Sequence, residues 1–255
     1  MNTLRLSLEF SKRELLTKYK GSLLGAIWLV ASPVMLLLLY SAVFQFVFKA
    51  KWNIEGEELN FTLALFCGLA PYFFFTEMIG KSPELVKNNS NLIKKVVFDR
   101  LSVPLSSTFS AIFLLVVNLT LVVVYKIIDA GRIELIWFSI YLYLVPAFFL
   151  GLTIATVFSS IGAYISDLSS IANFINPVLM FVSPVFFDVD KVSPIFASII
   201  SFNPLTPIIV NIREVILLNE FDLMTYVIIC AISMGVAFIG IALYRVLEED
   251  FADLA

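Results

Sequence analysis

Long apolar runs separated by short charged clusters dominate the pattern of this chain. A charge in mid-bilayer is costly, so runs without Asp, Glu, Lys or Arg are candidate membrane helices. A helix needs about 20 apolar residues to cross a hydrocarbon core of about 30 Å. The runs predict six spans, over residues 23–48, 59–80, 101–125, 135–163, 171–187 and 223–245.

A further apolar stretch, residues 192–217, differs from these six because prolines interrupt it. Pro194, Pro204 and Pro207 remove backbone donors, and lipid cannot compensate for that loss. We therefore predict a re-entrant element that enters the membrane and returns, packed against other helices. A straight seventh span is the alternative interpretation.

The first 22 residues predict an amphipathic helix at the membrane surface. Leu4, Leu8, Leu15 and Tyr19 fall within about 60° of each other on a helical wheel. Such a helix lies in the interface, with its cations towards anionic headgroups. A simple topology anchor is the alternative. The cations on the adjoining face are Arg5, Lys12, Arg13 and Lys20.

Basic residues indicate the orientation, because cytoplasmic segments are enriched in Lys and Arg. Two segments hold ten cations, and the segments that alternate with them hold fewer. This distribution predicts that both termini are cytoplasmic and that residues 192–217 lie on the outer side. The ten are Arg5, Lys12, Arg13, Lys18, Lys20, Lys81, Lys87, Lys94, Lys95 and Arg100.

Composition supports an all-α integral membrane protein of one domain, residues 1–255. The chain has 255 residues, 60% hydrophobic and only 15% charged, with mean hydropathy +0.96. A soluble domain carries about a quarter charged residues, so this composition excludes a soluble enzyme. A net charge of −3 argues against nucleic-acid binding.

Candidate chemistry is sparse. Histidine is absent, which removes the commonest general base and metal ligand. Cys67 and Cys230 lie in separate apolar runs, so neither a disulfide nor a metal site is expected. We predict no catalytic residues and no metal site.

The charged loop between the second and third spans, Lys81–Arg100, contains signals for a short helix. Ser82, Pro83 and Glu84 resemble a helix start, and Asn88–Asn91 predicts its end. The apolar residues that follow predict an exposed surface for a protein partner. Contact with interfacial lipid is the alternative. These residues are Leu92, Ile93, Val96, Val97 and Phe98.

Four blocks of residues resemble the polysaccharide-export branch of ABC transporter permeases, the membrane subunits that export O-antigen, capsule or teichoic acid. They occur in the family's order and span nearly the whole chain. Two departures stand out: Asp99 replaces a common proline, and Tyr164–Asp167 lacks the usual arginines. The blocks are Lys18–Lys20 with Leu24, Gly25, Trp28 and Pro33; Gly68–Phe75 with Glu77; Asn91–Val96 with Arg100 and Pro104; and Ser183–Phe186 with Asn203–Leu205 and Arg213.

The resemblance implies a homodimer of six-helix halves around a polysaccharide channel, in the bacterial inner membrane, with separate nucleotide-binding ATPase subunits. Glu84–Asn91 then looks like the main coupling helix, Tyr164–Ser170 like a lesser contact and Leu4–Lys20 like the interface helix. The implied residues are Glu84, Leu85, Lys87, Asn88, Asn91 and Asp167 for ATPase contact; Tyr40, Phe44, Phe174 and Phe181 for the channel; and Pro194, Asn203, Pro204, Pro207 and Arg213 for an outer gate.

The residues themselves agree that ATP is held elsewhere. No glycine-rich loop followed by Lys-Ser or Lys-Thr occurs, so we expect no cofactor on this chain, with ATP and Mg²⁺ on the partner. The expected cargo is a lipid-linked polysaccharide such as O-antigen, with capsule and teichoic acid as alternatives. An ion-coupled carrier or channel, and an intramembrane glycosyl or prenyl transferase, are further alternatives, although neither intramembrane carboxylate pairs nor acidic clusters support them.

Overall fold

The computed structural model describes residues 3–18, 20–22, 24–47, 49, 52–54 and 57–254. Tyr19 of the predicted amphipathic face and the predicted limits at residues 1, 23, 48 and 255 lie outside the described residues. The elements are α1 (Thr3–Lys18), α2 (Trp28–Ala42), β1 (Trp52–Ile54), β2 (Glu57–Leu59), α3 (Phe61–Lys81), α4 (Leu85–Asn88), α5 (Ser90–Lys95), α6 (Ser102–Ala130), α7 (Leu144–Tyr164), α8 (Leu168–Phe181), α9 (Pro194–Ser201), α10 (Leu205–Leu218), α11 (Leu223–Leu247) and α12 (Phe251–Leu254).

Among the described residues, four helical stretches are long and apolar enough to cross a membrane. They contain α3, α6, α7 and α11, and α9 with α10 adds a fifth if this bent pair is one span. The two helices of the pair meet at 100°. Two shorter apolar helices, α2 and α8, lie where the first and fifth spans are predicted.

Helix limits differ from the predicted spans at two informative places. The apolar run 101–125 stops at Lys126, but α6 continues to Ala130 and ends at Gly131, whose φ is 66°. Lys126 does not break the helix because its ammonium lies over the Trp137 ring, 5.3 Å from the centroid. The predicted span 171–187 is shorter in the structure, since α8 ends at Phe181.

A short hairpin adds β-structure to the predicted helical fold. Strands β1 and β2 pair antiparallel, with Trp52 opposite Leu59. Trp52 is buried, and its ring lies 6.3 Å from that of Phe61, the first residue of α3. The hairpin therefore belongs to the same core as the helices that follow it.

The centre of the molecule is α3, which is buried along most of its length. It packs against α6, α7, α8 and α10, so its apolar residues on every face find a neighbour. A helix that is apolar all round requires such burial. In contrast, α11 packs chiefly on α7 and leaves most of its apolar surface exposed. This exposed surface is suited to lipid or to another membrane subunit.

Helix α1 lies along α6. Leu6, Ser7 and Ser11 are buried, whereas Leu4 and Leu8 of the predicted apolar face remain exposed. The helix therefore docks through a face rich in small polar residues, and these two leucines stay at the surface.

Candidate functional site

Residues Ser82–Lys95, here called the basic segment, follow α3 without a loop. The short helix α4 ends at Asn88, within the predicted end Asn88–Asn91, but a second helix that was not predicted, α5, begins at Ser90. Asn89 donates a side-chain hydrogen bond to Leu85 O at 2.8 Å. The helix resumes because Ile93 is buried there, a tertiary contact that local propensity does not reveal.

The predicted ATPase-contact residues lie on one region of the surface. Glu84, Asn88, Asn91 and Asp167 are exposed, and Leu85 and Lys87 are half-buried. Lys87 Nζ donates to Ser166 Oγ at 2.9 Å, which places the turn between α7 and α8 beside the basic segment. The structure thus brings together two stretches that are distant in sequence.

Lys81 joins the basic segment to α1 and α6. Its Nζ lies 3.0 Å from Glu14 Oε1 and 3.7 Å from Glu77 Oε1, and it donates to Ser107 O at 3.0 Å. A cleft of about 880 Å³ nevertheless separates α1 from the basic segment, with Arg13 and Asn88 among its lining residues. Flexible charged side chains, rather than close packing, bridge this cleft.

Asp99 connects three elements beside the basic segment. Its carboxylate lies 2.7 Å from Arg245 Nη1 at the end of α11, and it accepts a hydrogen bond from Thr3 Oγ1 at 2.7 Å. Burial alone would raise the pKa of Asp99, but the hydrogen bonds from Arg245 and Thr3 outweigh it and hold the pKa below its usual value. The residue that departs from the family pattern therefore has partners of its own.

Polar contacts at the α9–α10 junction fix the bent helix pair. Pro194 begins α9, and Ser193 caps it by accepting a hydrogen bond from Phe196 N at 3.4 Å. Asn203 Nδ2 donates to Val182 O and Ser183 Oγ, at 3.2 and 2.8 Å. Its Oδ1 accepts from the backbone N–H of Leu205 at 3.0 Å, which satisfies the start of α10.

The remaining predicted gate residues sit in α10 or just before it. Pro204 precedes its first residue and is exposed, and Pro207 is half-buried in its first turn. These prolines cost no hydrogen bond, because the first backbone N–H groups of a helix have no intrahelical partner. The structure therefore explains why a proline-rich stretch is helical rather than irregular.

Arg213 is the most deeply buried charge described in the structure, with 5% of its surface exposed. Its Nη2 donates to Pro184 O at 2.8 Å and Val185 O at 3.2 Å, and its Nε donates to Ala64 O at 3.3 Å. The guanidinium lies 4.1 Å from the centre of the Trp52 ring. One side chain therefore joins α10 to α3, to the hairpin and to the turn after α8.

Three of the four predicted channel residues surround the ring of Phe186, a residue that was not itself predicted to line the channel. Phe186 lies 5.9 Å from Tyr40, 4.6 Å from Phe44 and 6.4 Å from Phe181, measured between ring centroids. Tyr40 and Phe44 are half-buried, whereas Phe181 is 66% exposed. Phe174 is 73% exposed, two turns before Phe181 on α8.

Two further residues escaped sequence reasoning, Gly162 of α7 and Phe251 of α12, and both contact the basic segment or its neighbours. The only signal for Gly162 is that small residues, Ser159, Ser160 and Ala163, lie close to it in the sequence. Within the described part of the chain, no three His, Cys, Asp or Glu side chains are grouped to hold a metal ion.

These apolar helices define a multi-pass membrane protein, and comparison with known proteins specifies its class. The family model of the ABC-2 type transporter matches residues 8–217. The chain therefore belongs to the ABC-2 type transporter family, a family of transport proteins rather than enzymes.

Individual relatives cover almost the whole chain. An O-antigen export system permease protein of Klebsiella pneumoniae is 24% identical over 96% of this chain and 92% of its own length. One from Myxococcus xanthus is 22% identical over 95% of this chain and 92% of its own. A polysialic acid transport protein of Escherichia coli is 23% identical over 93% of this chain and 91% of its own.

Proposed function

We propose that this chain is the transmembrane subunit of an ATP-driven exporter that moves a lipid-linked, O-antigen-like polysaccharide from the cytoplasm across the bacterial inner membrane. The observation that carries this proposal is the near full-length similarity to O-antigen export permeases from two organisms. The apolar helices and the family membership support it.

In this proposal, ATP and Mg²⁺ are bound by separate nucleotide-binding subunits that dock on the basic segment. Support comes from the exposed side chains of Glu84, Asn88 and Asn91, and from Asp167 on the adjacent turn. Leu85 and Lys87 lie half-buried beneath them. Contact at this surface would let ATP-driven closure of the partner displace the segment.

The proposed topology has six spans, α2, α3, α6, α7, α8 and α11, with both termini in the cytoplasm and α1 as the interface helix. The bias of Lys and Arg towards the N-terminal segment and the basic segment supports this orientation. The whole chain is one membrane domain in this view. The bent helix pair then lies on the outer side.

We assign the passage to the centre of a homodimer, with α2 and α8 as its walls. Phe174 and Phe181 carry large exposed aromatic surface on α8, while Tyr40 and Phe44 on the α2 side sit behind it. Aromatic faces stack on sugar rings without fixing them, which suits a polymer that slides. Pro194, Asn203, Pro204, Pro207 and Arg213 belong to the outer gate.

The test of docking is co-purification of the ATPase subunit with a surface variant that leaves the fold intact. Because Glu84, Asn88 and Asn91 are exposed, the triple change to Lys alters charge without disturbing packing. We expect the retained ATPase to fall about tenfold, since a charge mismatch at an interface weakens association. Glu220→Lys, an exposed change after α10, is the matched control and should retain the ATPase in full. Undiminished co-purification of the triple variant would refute docking at this surface.

A capsule exporter is a second candidate function, favoured by the similarity to a polysialic acid transport protein. Teichoic acid export is a related possibility within the same class. Complementation separates them, because an O-antigen exporter restores surface O-antigen, and not capsule, to the corresponding permease-deletion strains. Transport by the purified chain driven by an ion gradient, without ATP, would instead indicate a carrier.

A further inference from the structure

Close backbone packing attaches the basic segment to α7. Gly162 is buried against Pro83, and a Cβ atom at position 162 would lie 2.7 Å from Pro83 C and 2.8 Å from Pro83 Cα. These obstructing atoms are backbone and cannot rotate away, so only glycine permits the contact. The segment therefore rests directly on α7.

A second, aromatic contact attaches the same segment to the end of the last helix. Val86 and Ile93 of the basic segment share a buried cluster with Ala163, Tyr244 and Phe251. Tyr244 and Phe251 are fully buried, and their rings meet edge to face at 5.2 Å. A 3-10 turn over Glu248–Asp250 joins α11 to α12, and α12 packs on both α5 and α7.

Polar contacts reinforce this closure around the residues that follow the basic segment. Tyr244 donates its hydroxyl to Arg100 O at 3.0 Å, and Arg100 donates in turn to Glu248 O. Tyr164 at the end of α7 donates to Asp250 Oδ2 at 2.7 Å. These hydrogen bonds link α7, α11 and the residues that follow the basic segment into a ring of contacts.

The helices of this ring are themselves tightly joined. A Cβ atom at Gly240 of α11 would lie 2.8 Å from Thr156 Oγ1 and 3.4 Å from Thr153 Cα of α7. On its other side, by contrast, the basic segment faces the cleft of about 880 Å³ that separates it from α1. Packing is therefore strong towards α7 and α11 and weak towards α1.

We propose that the basic segment, α7, α11 and α12 move as one rigid unit relative to α1, and that Gly162 and Phe251 are the positioning residues that hold the unit together. The inference rests on the proposed docking of an ATPase at the basic segment. Any displacement of the basic segment is then transmitted to α7 and α11, and the width of the cleft beside α1 changes.

Cross-linking within the unit tests this directly in the full complex. Thr156→Cys on α7 with Gly240→Cys on α11 should form a disulfide on oxidation, because a Cβ atom at Gly240 would lie 2.8 Å from Thr156 Oγ1, close to the spacing between a Cβ and the far sulfur of a disulfide. The oxidised complex should export at the rate of the reduced complex, since no relative motion is blocked. Single-cysteine variants control for the natural Cys67 and Cys230. Failure to cross-link, or a loss of export that reductant reverses, would overturn the proposal.

Cross-linking across the cleft is the opposing arm. Thr17 and Asn88 both line the cleft, and joining cysteines at these positions with a bifunctional maleimide should prevent the unit from moving relative to α1. Export should fall about tenfold, in the range of coupling between distant sites. Unchanged export after complete cross-linking would overturn the proposal.

Gly162→Ala separates coupling from folding. We expect the ATPase to remain bound and hydrolyse ATP while export per ATP falls about tenfold. Gly235→Ala on α11, where a Cβ meets no atom within 4 Å, should leave that ratio unchanged. A proportional fall of hydrolysis and export would indicate a merely structural role and contradict the inference. If the unaltered chain retains no ATPase, the docking proposal fails instead.

Discussion

The basic segment and the bent helix pair are held in place by different kinds of contact. The basic segment rests on several separate contacts, namely the backbone contact with Gly162, the buried cluster of Val86 and Ile93 with Tyr244 and Phe251, and the hydrogen bond from Lys87 to Ser166. The bent helix pair packs apolar side chains of α10 in the main core, and its buried polar contacts centre on Arg213, whose guanidinium reaches three other parts of the chain. We therefore expect the loss of one contact of the basic segment to cost less stability than the loss of the Arg213 charge.

Removing the central charge should have the largest effect. Arg213→Met leaves the carbonyl oxygens of Pro184, Val185 and Ala64 without this donor, and we expect a loss of about 4 kcal/mol in the free energy of unfolding. Unfolding by SDS in mixed micelles, followed by tryptophan fluorescence, measures it. Arg132→Met is the matched control, because that side chain is 69% exposed and should cost little. If Arg213→Met and Arg132→Met cost the same free energy of unfolding, the buried guanidinium does not stabilise the bent helix pair as described.

Removing one aromatic ring from the buried cluster around the basic segment should cost somewhat less. Phe251→Ala opens space beside Tyr244 and Ile93, and we expect a loss of about 3 kcal/mol in the same unfolding assay. The short α12 can relax into that space, which keeps the cost at the lower end of the usual range. Leu254→Ala, at a side chain 38% exposed, provides the comparison and should be close to neutral.

The polar contacts at the junction of the bent pair sharpen the comparison further. Asn203→Ala removes the donor to Val182 O and Ser183 Oγ and the acceptor for Leu205 N, so about 2 kcal/mol of unfolding free energy should be lost. Asn203→Asp retains the acceptor and loses the donor, which should give a larger loss at neutral pH than at acidic pH. The reverse order would show that the donor contacts are unimportant.

The smallest expected effect is a pH dependence at Asp99. Its pKa is lower in the folded protein than in the unfolded chain, so its contribution is present above the unfolded value of about 4 and disappears as pH falls through the folded value. Arg245 is 43% exposed, so screening by water limits the contribution to below about 1 kcal/mol. Comparing unfolding at neutral and strongly acidic pH for the natural chain and Asp99→Asn measures it, and the variant should show the shallower pH dependence.

Apolar runs predict where most membrane helices lie, because charge is excluded from the bilayer, but they do not predict where the helices end. Lys126 ends a run without ending α6, and α8 stops at Phe181 although the apolar residues continue. The helix restart at Ser90 depends on burial of Ile93, which local sequence does not specify. A pattern of hydropathy thus locates an element better than it defines its limits.

The same limit applies to the candidate site, because the sequence predicts some of its residues but not the contacts that they make. The family resemblance predicted that Asn203 and Arg213 are gate residues, and proline positions predicted a break in that stretch, but neither revealed the contact of Arg213 with Trp52. Gly162 and Phe251 carry no recognisable motif. Their importance arises from the residues they meet in the folded chain, Pro83 and Tyr244.

The position of Phe251 also has a consequence for biosynthesis. Chains fold from the N-terminal end as they are made, and Val86 and Ile93 emerge long before Phe251, which begins α12. During that interval the basic segment lacks one wall of its hydrophobic pocket. If the ATPase docks on the basic segment as we propose, a nascent chain presents the complete docking surface only after α12 has been made.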